Sequence, residues 1–330
     1  MILACTGRAP PPGLTDDSSL SIDDSERTKD SDTGSQECGD HWIDLDTGTA
    51  SRCGVTSGGC IKCWHADSDW AQFLLEPPEG SFLTVSIIDY WDPWDGPWAC
   101  AGTESEVKCW EHAEANRVLP EGQYSELEAQ NRLTCGIRME DQALVCAGEG
   151  VRESGASEQM VVEWEGPYRS VSVAKHIGAW CATRSSGGLD CAGTQPIPPI
   201  TVTFDWVWVY TSGIGCVAGG DGPAKCWYGP TEADVAEIAS PTDSPVARLA
   251  PDAAANLSSA EHIAAAPMLL LLEDGSLHAT GDYGWYLPAG DFADVQVAWT
   301  DPPQACGITR TGEIECWAFD GSDVAQPPEL

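Results

Sequence analysis

The sequence predicts an all-β repeat protein of the propeller class, and three observations carry that prediction. A unit of two nearby cysteines recurs along the chain, pairing Cys53 with Cys63, Cys100 with Cys109, Cys135 with Cys146, Cys181 with Cys191, Cys216 with Cys226 and Cys306 with Cys316. A seventh unit, around Asp274-Gly275, has Leu269 and Ala279 where the cysteines belong. Both partners are lost from the same unit, as expected of a bridge made within it and not of independent thiols or metal ligands. Finally, the units step by 35–53 residues with no apolar stripe at helical spacing, which is the period of propeller blades and not of a helical solenoid.

Each unit reads as a β-hairpin. In the last one, Cys306, Ile308, Ile314 and Cys316 alternate with polar residues around the turn Arg310-Thr311-Gly312. Ser185 to Gly188 and Gly219 to Gly222 supply comparable turns. Opposed residues of an antiparallel pair lie close enough for a disulfide, so the two cysteines of a unit face each other. A third strand precedes the hairpin at Phe82 to Tyr90, Tyr168 to Ala174, Ile200 to Tyr210 and Phe292 to Trp299, and prolines such as Pro77, Pro78, Pro120, Pro167 and Pro245 mark the entries. The apolar run Ile263 to Leu272 is too short to span a bilayer and reads as a strand of the cysteine-free unit.

These units resemble the regulator-of-chromosome-condensation repeat: a Val-rich strand, a turn, Cys-Ala/Gly-Leu/Ile, a glycine hairpin and Cys-Trp-Gly. Phe292 to Val297, Cys306-Gly307-Ile308 and Cys316-Trp317 match it best. The resemblance covers roughly residues 42–317 and implies a seven-bladed β-propeller. It says little about function, since the family includes a nuclear nucleotide-exchange factor, secreted bacterial β-lactamase inhibitors and bacterial surface proteins. The chain departs from the pattern at Ala147-Gly148, Ala192-Gly193 and Thr280-Gly281, which stand in place of Trp-Gly.

Composition narrows the setting. The 330 residues carry 52 acidic against 16 basic side chains, a net charge of −36, and no basic stripe to neutralise phosphates. Nucleic-acid binding is thereby excluded. Local disulfides require an oxidising compartment, so the chain is expected outside the cell or on a bacterial surface, as a monomer. The charge reads as solubility or adaptation to a saline exterior, with a specific cationic partner as the other reading.

Of the fifteen cysteines, Cys38 and Cys60 remain as a seventh bridge, and Cys5 stands apart. Cys60-Ile-Lys-Cys63 has neither the second Cys-x-x-Cys of a zinc site nor the βαβ context of a redox motif. Ile2-Leu3-Ala4-Cys5 resembles a bacterial lipobox; either the true start lies upstream and Cys5 is lipidated, or Cys5 is incidental. Residues 1–37, with Pro10-Pro11-Pro12, Asp16-Asp17 and Asp23-Asp24, read as an acidic disordered tether, and 38–330 as the propeller. The membrane is then reached only through that anchor.

No catalytic signature stands out. The six histidines share no spacing, and there is no Gly-x-Ser-x-Gly, His-Glu-x-x-His or phosphate loop, so neither cofactor nor metal is expected. The irregular stretch Asp89 to Trp98 interleaves Trp91, Trp94 and Trp98 with Asp92 and Asp95, and reads either as a ligand loop or as cover for a seam between blades. Tyr283 and Trp285 form a second candidate loop, whereas Trp206, Trp208, Trp64, Trp110, Trp227 and Trp317 read as packing residues. The expected function is therefore extracellular binding of a protein or polysaccharide, without catalysis. The alternative is a secreted carboxylate-dependent hydrolase or lyase with its site in the propeller channel. Acids converging with an arginine in one concave space favour the second reading; acids spread over the exterior favour the first.

Overall fold

The computed structural model describes residues 38–48, 51–65, 76–88, 98–111, 119–130, 133–148, 160–174, 179–193, 198, 200, 203–211, 214–220, 222–251, 266–280, 284–298 and 302–330. They form seven small antiparallel sheets, each built from consecutive strands. Blade 1 is β1 (Trp42–Thr47), β2 (Ser51–Thr56) and β3 (Ile61–His65); blade 2 is β4 (Phe82–Ile88), β5 (Trp98–Thr103) and β6 (Val107–Glu111). Blade 3 is β7 (Tyr124–Gln130), β8 (Leu133–Arg138), β9 (Leu144–Gly148) and a fourth strand, β10 (Met160–Trp164). Blade 4 is β11 (Tyr168–Val173), β12 (Trp180–Arg184) and β13 (Gly188–Ala192). Blade 5 is β14 (Trp206–Thr211), β15 (Ile214–Ala218), β16 (Ala224–Tyr228) and β17 (Val235–Ile238). Blade 6 is β18 (Val246–Pro251), β19 (Met268–Leu272) and β20 (Leu277–Ala279), and blade 7 is β21 (Phe292–Ala298), β22 (Gln304–Thr309) and β23 (Ile314–Ala318). The fold is the seven-bladed propeller.

Within each hairpin the two cysteines are directly opposed, as in Cys135↔Cys146 and Cys306↔Cys316, with Cα atoms 4.0–4.1 Å apart. In blade 6 Leu269 pairs with Ala279 in the same register, so an apolar pair replaces the bridge without shifting the ladder. Cys38 and Cys60 form the seventh disulfide, tying the entry of the chain to the first hairpin.

Apolar side chains gather into seven cores, and each core lies at one seam between neighbouring blades. The last of these joins Trp42, Leu45 and Trp64 of blade 1 to Cys306, Ile308 and Cys316 of blade 7, which closes the ring. Hydrogen bonds close it in the same way. The hairpin-turn carbonyls of Gly59, Gln142 and Gly275 accept the N–H of Phe82, Tyr168 and Phe292 in the next blade, and Gly312 accepts Trp42 N–H at 2.8 Å. Blade 7 thus meets blade 1 by the contact that joins other consecutive blades.

Several boundaries differ from the sequence expectation. The strand expected from Ile200 begins at Trp206, and within the run from Ile263, whose residues 263–265 fall outside the described ones, the strand is Met268–Leu272. The first strands of blades 1, 3 and 6 and the fourth strands β10 and β17 are additional to the expected set. Arg52 is wholly buried, and so are most of the aromatic residues that open the first strands, such as Tyr124 and Phe292.

Candidate central channel site

The first strand of every blade lines the central channel, and its sequence is built for that position. An aromatic or β-branched residue opens the segment: Trp42, Phe82, Tyr124, Tyr168, Phe204, Val246 and Phe292 are all buried. The glycines after Cys53, Cys135 and Cys306 leave room for these rings: a Cβ on Gly54, Gly136 or Gly307 would come within 2.6–2.7 Å of Trp42, Tyr124 or Phe292. A register irregularity follows the opening residue in six blades, between Trp42 and Asp44 and at the equivalent places. Beyond it, apolar residues such as Leu45 and Leu127 enter the seams while the residues between them turn to the channel.

Two tiers result. The first is Asp44, Thr84, Glu126, Ser170, Trp206, Arg248 and Asp294; the second, opposite the first hairpin cysteine or its replacement, is Asp46, Ser86, Glu128, Ser172, Trp208, Ala250 and Gln296. All seven residues of the first tier line one cavity of about 540 Å³, together with Asp46, Glu128 and Gln296. Exposed Ile43, Ser125, Arg169, Asp205 and Ala293 form its rim, on the hairpin-turn side.

Tier residues also stitch blade to blade. Asp44 and Asp46 accept the backbone N–H of Val85 and Ile87 at 2.8 and 2.7 Å, Ser86 accepts Ala129 N–H at 3.0 Å, and Ser172 accepts Val209 N–H at 3.0 Å. Glu126 accepts the Ser170 hydroxyl at 3.1 Å, and Arg248 Nη1 donates to Asp294 at 2.6 Å.

The cavity is strongly acidic. Asp44, Asp46, Glu126, Glu128, Asp205 and Asp294 face Arg169 and Arg248, and Arg169 is already paired with Asp205 at the rim. Removal from water pushes the Asp44 carboxyl up to about 6 and that of Glu126 up to about 7, and it raises Asp294 against the pull of Arg248. Asp294 repels Asp44, and Asp44 repels Glu126, so the carboxylates share one field across the channel. These are groups that gain from a cation. No cluster of metal-ligating type occurs among the described residues.

The channel acids are the functional candidates missing from the sequence expectation. Their signal was the alternation Asp44-Leu45-Asp46, Glu126-Leu127-Glu128 and Asp294-Val295-Gln296, which sets carboxylates on one side of a strand. Acids and Arg248 converge in one concave space, as the alternative reading requires, but Arg248 is committed to Asp294 at 2.6 Å, and the excess of carboxylates over cations suits a positively charged ligand.

Of the expected ligand residues, Trp98 and Trp285 are among the described ones. Trp91, Asp92, Trp94, Asp95, Tyr283 and Cys5 fall outside the described residues. Trp98 is the first residue of β5, at the end of blade 2 away from the hairpin turns. Trp285 stacks on Phe319, ring centroids 4.3 Å apart and nearly parallel at 8°, and packs on the core between blades 6 and 7. Trp206 and Trp208 pack on the core between blades 5 and 6, and Trp206 also forms an aromatic wall of the cavity.

No family model and no curated protein matches this chain. Solved structures do. The crinkly WD40 ectodomain of the Arabidopsis thaliana receptor kinase ACR4 is 16% identical, with a TM-score of 0.54 over 88% of this chain and 98% of that one. Human WBSCR16 is 12% identical at a TM-score of 0.54, covering 79% of this chain and 85% of its own. The computationally designed Ika8 protein is 12% identical at 0.53, covering 90% and 88%. At such identities the likeness concerns the fold.

Proposed function

We propose that this chain is an extracellular binding module that takes a positively charged segment of a protein partner at the mouth of its central channel. The observation that carries the reading is the convergence of Asp44, Glu126 and Asp294, with Trp206 beside them, in a cavity of about 540 Å³. A lysine ammonium or arginine guanidinium entering there meets carboxylates and an aromatic face in a site of reduced polarity, where both attractions are strengthened. The net charge of −36 steers such a partner toward the ring. Seven disulfides support an extracellular setting, which is also the setting named for the plant receptor-kinase ectodomain of the same fold. Kinship with regulator-of-chromosome-condensation repeats, a bacterial source and a lipid anchor at Cys5 belong to this proposal.

A carboxylate-dependent hydrolase or lyase is the second reading. Its specific support is Glu126, held near 7 beside Asp44 near 6, with Arg248 in the same cavity.

One experiment separates the readings. Immobilised protein is exposed to an oligolysine peptide and to a neutral polysaccharide, and the polysaccharide is analysed for cleavage. The comparison includes a channel variant, Asp44→Asn with Glu126→Gln and Asp294→Asn, and a loop variant, Trp91→Ala with Trp94→Ala and Trp98→Ala. Peptide binding that is lost only in the channel variant is the expected result. Binding lost only in the loop variant returns the site to the tryptophan segment, and cleavage lost in the channel variant establishes the enzyme.

A further inference from the structure

The seam that closes the ring holds a buried cation for which the described residues supply no counter-charge. Arg52 on β2 has no exposed surface. Its Nη1 donates to the carbonyl of Ala325 at 3.1 Å and its Nη2 donates to Gln304 Oε1 of blade 7, both neutral acceptors. Its Nε–H has no partner. Among the described residues no carboxylate pairs with it, in a chain that carries 52 acidic residues. Burial alone draws its pKa down, to about 10.

The neighbours of Arg52 have the same lack. Thr47 lies directly opposite on β1 and Trp64 directly opposite on β3, so the three side chains stand in one row on one face of blade 1. That face meets blade 7, since Trp64 belongs to the core shared with Cys306, Ile308 and Cys316. The indole N–H of Trp64 and the hydroxyl of Thr47 are buried and unpartnered too. In the other blades the place of Arg52 is taken by Ala99, Thr134, Trp180, Gly215, Met268 and Ala305, so the charge is peculiar to the closing seam.

We propose that this row binds a small monovalent anion of the chloride class, held by Arg52 Nε–H, Trp64 Nε1–H and the Thr47 hydroxyl. An isolated buried guanidinium is strongly destabilising unless a charge answers it, and unpaired buried donors add to that cost. Water would satisfy donors but not charge. A halide does both, is small enough for a seam, and binds the folded ring but not the unfolded chain, so it stabilises closure between the first and last blades.

The test uses the intact protein in sodium chloride, sodium bromide and sodium gluconate at equal ionic strength, with thermal melting as the readout. Melting several degrees higher in the halides than in gluconate is expected, with that difference abolished in Arg52→Met. Trp64→Phe keeps an aromatic ring and removes the indole N–H together with part of the ring volume, so its melting in halide is read against its own melting in gluconate; that difference should fall by at least half, which keeps the test decisive if Arg52→Met does not fold. Crystals grown in bromide should show an anomalous peak beside Arg52 Nε. Equal melting in all three salts, or full halide response in Trp64→Phe, overturns the proposal, as does bromide-grown density that contains only water. A peak without any effect on melting marks an adventitious ion and overturns it as well.

Discussion

Trp180 and Ala192 face each other across β12 and β13 with their sizes exchanged relative to the same pair in other blades. There the small residue comes first: Ala99 opposes Trp110, Gly215 opposes Trp227 and Ala305 opposes Trp317. Each pair supplies one indole to the seam with the preceding blade, and in blade 4 that indole comes from the other strand, where it packs on Trp164 of β10 at 4.4 Å. Ala192, one of the departures from Cys-Trp-Gly, is therefore a compensated position.

Exchange of the two residues should be tolerated where either single change is not. Trp180→Ala empties a fully buried site and should cost about 3–5 kcal/mol, and Ala192→Trp alone should overpack the seam at about 1–3 kcal/mol. The double variant should recover at least half of the loss in a denaturant titration with disulfides intact. Gly215→Ala tests the same layer from the small side, because a Cβ there would lie 2.4 Å from the Trp227 ring. It should be destabilising despite the minimal change.

Acidification should stabilise the ring through the channel carboxyls. The folded-state pKa of Glu126 is raised to about 7 and that of Asp44 to about 6, from ordinary values of 4.5 and 3.8. The folded protein therefore holds more protons than the unfolded chain between those values, and stability falls as pH rises from about 4 to about 7. Their stabilising contribution is full below about 4 and is lost above about 7. Relief of the overall negative charge acts in the same direction, so the decisive comparison is with Glu126→Gln, which should flatten the dependence of melting temperature on pH between 5 and 8. An unchanged slope would rule out Glu126 as its source.

Much of the blade, and little of the site, was legible in the sequence. The hairpins announce themselves because two cysteines fall within about a dozen residues, in four of the six around a glycine-bearing turn, and the missing pair at Leu269 and Ala279 shows that they act together. First strands rich in β-branched and aromatic residues, such as Phe82–Ile88, are recognisable on the same terms. Trp42–Thr47 and Tyr124–Gln130 are not, because acids at alternate positions look like a solvated loop until a channel is there to receive them. The site itself sits in no sequence window. Each blade contributes one first-tier residue about 40 positions from the next, and closure of the ring brings them together.

The disulfide map should be strictly local. A non-reducing peptide digest should recover 53–63, 100–109, 135–146, 181–191, 216–226, 306–316 and 38–60. Each hairpin bridge closes a loop of about ten residues, for which chain entropy allows about 2.5–3 kcal/mol. Replacing Cys135 and Cys146 by alanine should lower stability by no more than about that amount and leave the fold intact. Links between different blades would falsify the register assigned to them.

The chain beyond β23 supplies the last prediction. The side-chain amide of Gln326 accepts from Cys316 N–H at 3.2 Å and donates to Cys316 C=O at 2.8 Å, so one carboxamide satisfies both backbone groups of an edge residue, as a fourth strand would. The same segment reaches blade 1, where Arg52 donates to Ala325 C=O at 3.1 Å and Lys62 Nζ donates to Glu329 C=O at 2.7 Å. It covers the outer edge of blade 7 and straps that blade to the first. Gln326→Ala should remove two hydrogen bonds worth about 1 kcal/mol each, and the Cys316 amide should then exchange its hydrogen markedly faster while the Cys135 amide of blade 3 keeps its protection. Unchanged exchange at Cys316 would show that the strap holds without Gln326, through Ala325 and Glu329.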